Sequence, residues 1–241
     1  MWSKALLPVM VVSALATMVG CATPPGEEET GGSTSAIIDD KQDGAPTDHP
    51  EVVQVLVNNT AKDYCTGVLV SATKVLTAAH CAGKSYTIIA PFAPGKPQSA
   101  ATRGAVAEHS SAFNEEVQKE DAAVLILKTP IHLTTYATVR EVGELGTKKL
   151  TGVAVGRSHE DRNAPLVKSV PLAITSGTES GYETGLHSEY YSSGGDSGGP
   201  LFLVENGKIT HTVIGIERQP DPENNDEWFT RITPKVSALV K

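Results

Sequence analysis

Between residues 52 and 232 the apolar residues come in short runs, each too brief for a helix and each closed by Gly, Pro, Asn or Asp. The runs fall at 52–57, 68–70, 74–77, 86–90, 124–127, 152–155, 201–204, 212–216 and 228–232. Short runs punctuated in this way are the mark of many strands joined by turns. Helical periodicity is nowhere sustained over 12 residues before the C-terminus, and no strand–helix alternation points to a parallel sheet. The fold class is therefore all-β, and the pattern leaves sandwich and barrels open. At the end, Pro234 is placed to start a short helix with Val236, Leu239 and Val240 on one side.

The first 36 residues do not share this pattern. One lysine, Lys4, precedes a stretch from Ala5 to Val19 that is apolar apart from Ser13 and Thr17, which reads as an export signal. Its end, Met18-Val19-Gly20-Cys21, resembles a bacterial lipoprotein signal, with Met18 where Leu is usual. That resemblance implies cleavage at residue 21 and a lipid on Cys21; ordinary secretion, with cleavage after Ala16 or Ala22, is the alternative. Residues 22–36 are rich in Pro, Gly, Glu, Ser and Thr and lack the apolar surface to order themselves, so they read as a tether or pro-segment. Three cysteines are present, and with Cys21 lipidated, Cys65 and Cys81 are left to pair outside the reducing cytoplasm. The net charge is −8 and the one basic cluster is Lys148-Lys149, which excludes an electrostatic footprint for nucleic acid.

Three segments carry chemistry: Leu76-Thr77-Ala78-Ala79-His80-Cys81, Glu120-Asp121-Ala122-Ala123-Val124, and Gly194-Gly195-Asp196-Ser197-Gly198-Gly199-Pro200. A serine hydroxyl is a weak nucleophile at neutral pH and needs a base within hydrogen-bond reach. Imidazole suits that task, and a buried carboxylate can fix its tautomer and stabilise the imidazolium. Glycines beside the serine free the backbone to aim N–H groups at a developing oxyanion.

These segments resemble the trypsin/chymotrypsin family: TAAHC around the histidine, D-x-A-x-L around the aspartate and GDSGGP around the serine, in the family's chain order. Cys65-Thr66-Gly67 resembles the family's C-x-G strand, whose cysteine bridges to the one beside the histidine, and residues 228–232 resemble its late strand before the terminal helix. The resemblance spans residues 37–241. It implies two packed antiparallel six-stranded barrels, about 37–140 and 141–233, with a helix at 234–241. It also implies a serine endopeptidase acting on proteins or peptides. Ser197 is then the nucleophile, His80 the base, Asp121 the orienting carboxylate, and the N–H groups of Gly195 and Ser197 the oxyanion hole. A Cys65–Cys81 disulfide, a monomer, and the absence of any metal or cofactor follow from the same resemblance.

The chain departs from the family at two places. Activation in the family frees an isoleucine amine that pairs with the aspartate before the nucleophile; Asp196 and Ile37 stand at those places. Yet Asp39-Asp40 replaces the usual glycines and Ala36, not Arg, precedes the cut, so processing after Ala36 and an uncleaved chain are both open. At the pocket base, where trypsin relatives have an aspartate, stands Tyr191; Arg218 and Glu227 fall near the pocket walls, and specificity is not readable from them. A partner-specific hydrolase or esterase, and a silent binding module on the same scaffold, are the competing functions. His49, His109, His132, His159, His187 and His211 show no ligand spacing and are expected in loops or on the surface. The chain is expected to be exported. It is then either an outer-membrane lipoprotein facing the periplasm or cell surface, held to the membrane only through its lipid, or a protein secreted after release.

Overall fold

The computed structural model describes residues 37–58, 63–107, 120–158, 163–178, 182 and 185–241. The signal, Cys21 and the tether lie outside the described residues, as do His109 and His159. Strands β1 (Val52–Val57), β2 (Tyr64–Ser71), β3 (Lys74–Thr77), β4 (Tyr86–Ile89), β5 (Gln98–Val106) and β6 (Ala123–Leu127) close into a barrel in the order β1-β2-β3-β6-β5-β4. All neighbours in it are antiparallel.

After a two-residue strand β7 (Thr138–Val139), a second barrel forms from β8 (Leu150–Arg157), β10 (Leu172–Ser176), β11 (Gly185–Glu189), β12 (Pro200–Glu205), β13 (Lys208–Asp221) and β14 (Asp226–Arg231). The path β10-β11-β14-β13-β12-β8 is closed by the pairing of β10 with β8, while β9 (Leu166–Lys168) extends β8 and β7 lies parallel to β13. The chain ends in helix α1 (Pro234–Val240), started by Pro234 and capped by Thr233, whose hydroxyl accepts from the Val236 amide at 3.2 Å. This is the two-barrel architecture that the sequence resemblance implies.

Six strands of β-branched and leucine side chains fill the first barrel, and β1 is buried along its whole length. Each such side chain contributes about 1.5–3 kcal/mol by leaving water. The same cluster continues into the second half through Phe202, Val213, Ile216, Ile232 and Val236, so the two barrels share one apolar seam. The loops that meet beside that seam carry the three segments singled out above.

Candidate active site

Register decides where His80 and Asp121 go. β3 pairs antiparallel with β6, with Thr77 opposite Ala123 and Leu76 opposite Val124. His80 lies three residues beyond the end of β3 and Asp121 two before the start of β6, so both leave the sheet at the same end. There Asp121 Oδ2 meets His80 Nδ1 at 2.5 Å and Oδ1 accepts the His80 amide at 2.8 Å. The carboxylate is 3% exposed, whereas the imidazole is partly open to solvent. Behind it, the Asp121 amide donates to Thr230 Oγ1 at 3.3 Å, and the same hydroxyl lies 3.3 Å from the Asp121 carbonyl. Tyr182 OH reaches Thr230 Oγ1 at 3.1 Å, so β14 of the second barrel braces the aspartate of the first.

Ser197 arrives from the other barrel. Its carbonyl accepts from the Thr66 amide of β2 at 2.9 Å and lies 3.7 Å from Cys81 Sγ, a disulfide sulfur with no proton to give. Cys65 and Cys81 are bonded, tying β2 to the residue after His80. The loop this bridge closes spans 16 positions, which is on the order of 3 kcal/mol in chain entropy. Around Ser197 the turn is tight. Gly198 has φ +84°, and a Cβ there would sit 2.1 Å from Thr77 Oγ1, so only glycine fits. The amides of Asp196, Gly198 and Gly199 donate to backbone carbonyls; among the described residues, those of Gly195 and Ser197 do not.

Asp196 points away, into the protein. It is 1% exposed; Oδ1 accepts the Arg157 amide at 2.6 Å and Oδ2 the Ser193 amide at 3.3 Å. Burial pushes its carboxyl well above the usual range against the pull of those two amides. Gly156 makes the room, since a Cβ there would lie 2.0 Å from Asp196 Oδ1. Ile37 is buried on the other side of the same peptide unit's residue: its amide donates to the Arg157 carbonyl at 2.9 Å, and the Ile38 amide to the Tyr191 carbonyl at 2.9 Å. Ile37 and Asp196 thus both grip Arg157.

Two of the three candidate pocket residues meet, the Tyr191 amide donating to Glu227 Oε2 at 3.5 Å. Tyr191 is buried and stacks on Phe229 with ring centroids 6.0 Å apart. Arg218 lies with its guanidinium 4.7 Å from the centre of the Tyr182 ring. Glu227 is fully buried and its Oε2 accepts the Ser192 amide at 3.1 Å. Sequence reading missed its neighbour Glu217, which is equally buried and accepts from Ser192 Oγ at 3.3 Å. The signal was present: a carboxylate ending the apolar run Val213-Ile214-Gly215-Ile216. The Glu217 amide donates to the Gly199 carbonyl at 2.8 Å, which sets this residue beside the Ser197 segment. Burial, then the Glu227 charge, pushes Glu217 well above the usual carboxylate range; burial pushes Glu227 up to about 7. Thr230 and Tyr182, too, were invisible as bracing groups, because one hydroxyl in a strand carries no pattern.

His49 lies in the loop before β1, as expected, but not at the surface, being 4% exposed and stacked on Phe202. His187 is a partly buried strand residue whose Nε2 meets Asp226 Oδ1 at 2.7 Å.

Residues 38–238 match the family model described as Trypsin. No curated protein sequence matches the chain. Among solved structures, an inactivated protease paralogue of the scabies mite superposes with TM-score 0.58 at 18% identity, covering 86% of this chain and 95% of that one. Neuropsin, a serine protease expressed in the limbic system of mouse brain, superposes with TM-score 0.58 at 19% identity, covering 83% and 97%. At such identities the structural likeness speaks for the fold, and the family match over most of the chain speaks for descent: the chain belongs to the trypsin family.

Proposed function

We propose that the chain is an active serine endopeptidase with Ser197 as nucleophile, His80 as general base and Asp121 as orienting carboxylate. The observation that carries this reading is the double hold of Asp121 on His80, at 2.5 and 2.8 Å, next to the disulfide that abuts the Ser197 carbonyl. Asp121 fixes Nδ1 as the protonated nitrogen and leaves Nε2 as the base. Ser197 Oγ attacks the scissile carbonyl as its proton passes to Nε2. The open amides of Gly195 and Ser197 receive the oxyanion, and the imidazolium protonates the leaving amine. Water then repeats the sequence on the acyl-enzyme.

Processing after Ala36 would give Ile37 a charged amine next to the Arg157 carbonyl, within the grip shared with Asp196. Export, lipidation of Cys21 and a monomeric state belong to the same proposal and rest on the sequence resemblance. A silent scaffold has one observation in its favour, the inactivated paralogue among the structural neighbours; retention of His80, Asp121 and Ser197 weighs against it. Digestion of a peptide library by the protein and by Ser197→Ala tests the reading. Cleavage by the former alone is expected; equal cleavage by both removes Ser197 from its role.

A further inference from the structure

Far along β13 from the nucleophile lies a second cluster of chemical groups that catalysis does not use. Glu51 is completely buried, just before β1 of the first barrel. His49 Nδ1 stands 3.1 Å from Glu51 Oε1, and His211 Nδ1, from β13 of the second barrel, stands 2.7 Å from the same oxygen. Both imidazoles therefore crowd one carboxylate oxygen, while Glu51 Oε2 is buried with no hydrogen-bond partner among the described residues. One ligand atom from each of the three residues lies within 4.8 Å of the other two. His49 is pinned by its stacking on Phe202, at 4.4 Å between ring centroids, and its ring lies 4.8 Å from that of His211. The His211 side chain is 40% exposed, giving the cluster an opening to solvent.

We propose that His49, Glu51 and His211 form a binding site for a zinc-like divalent cation that joins the two barrels. A buried carboxylate with an unsatisfied oxygen is costly, and the two imidazoles serve only its other oxygen. Two imidazole nitrogens and one carboxylate are a donor set suited to zinc, completed by water at the open fourth position. The hydrogen-bonded pairs, at 2.7 and 3.1 Å, are closer than the roughly 3.3 Å between neighbouring ligands of a tetrahedral zinc with bonds of about 2.0–2.1 Å. A small rotation of His211, the most exposed of the three, opens the space for the ion. Binding releases any ring protons the metal displaces, so affinity rises with pH. The site is separate from catalysis: His211 precedes Glu217 by six residues of β13, on the order of 20 Å of strand.

Equilibrium dialysis of the full chain against micromolar zinc, with the bound metal counted, tests the site. Because His80 could itself take zinc, the measurement is repeated on His80→Ala. One zinc per chain is expected in both, weakened roughly 10- to 100-fold or more by His211→Ala. Glu51→Gln is expected to abolish binding, but it alters a buried group. His211→Ala therefore carries the decision, its metal-free unfolding midpoint showing that it is folded. Zinc should also raise the midpoint of the wild type and of His80→Ala, but not that of His211→Ala. No bound zinc, or zinc that persists in His211→Ala and disappears in His80→Ala, overturns the proposal.

Discussion

Asp121 holds His80 at two points at once, the ring Nδ1 at 2.5 Å and the backbone amide at 2.8 Å. A carboxylate can accept at both oxygens; an amide offers one acceptor and turns a donor toward the other. The imidazole's orientation and tautomer therefore depend on residue 121 being ionised.

Asp121→Asn is the direct consequence. Its peptidase turnover is expected to fall by roughly 10³- to 10⁴-fold, through the wrong tautomer, while circular dichroism stays that of the wild type. A loss of less than tenfold would show that His80 does not need this carboxylate.

Gly198→Ala tests the turn. The left-handed φ of +84° and the 2.1 Å approach to Thr77 Oγ1 leave no space for a methyl group. The expected result is a destabilisation of about 2–4 kcal/mol by chemical denaturation, with activity lost even where the protein stays folded. Gly207→Ala has a similar φ of +73° but nothing within 4 Å, so it isolates the backbone strain and should cost less, about 1–2 kcal/mol.

The acidic pair makes stability depend on pH. Glu227 is held at about 7 in the fold against an ordinary 4.5, chiefly by burial. The folded protein therefore keeps a proton that the unfolded chain loses across that interval. The favourable contribution is fully present below about 4.5 and is lost as pH rises through about 7, on the order of 3 kcal/mol in all. Glu217, also raised by burial, acts with the same sign. Denaturation midpoints on either side of the interval should fall toward high pH, and Glu227→Gln should flatten that fall. An unchanged slope in Glu227→Gln would place the proton elsewhere.

Much of this was legible in the sequence where function or burial leaves a pattern. β3 coincides with the apolar run 74–77, and β1 with 52–57, since both are continuous runs of buried side chains. β5 escaped because its inward positions, Ser99 and Ala101, are small and its other residues mixed, giving alternation without bulk. β10 and β11 escaped for a related reason: threonine, serine and histidine share their faces, as in Thr175 opposite His187. The segments around His80, Asp121 and Ser197 were readable because chemistry dictates their residue types. The Glu217–Glu227 pair and the His49–Glu51–His211 cluster were not, since each joins residues whose proximity only the closed barrels create.

Active-site labelling with a fluorophosphonate probe bears most directly on the triad, because phosphonylation requires an activated serine. Mass spectrometry of the labelled protein should find one adduct, on Ser197, formed by the wild type and not by His80→Ala. A folded wild-type protein that stays unlabelled, or that labels equally without His80, would contradict it.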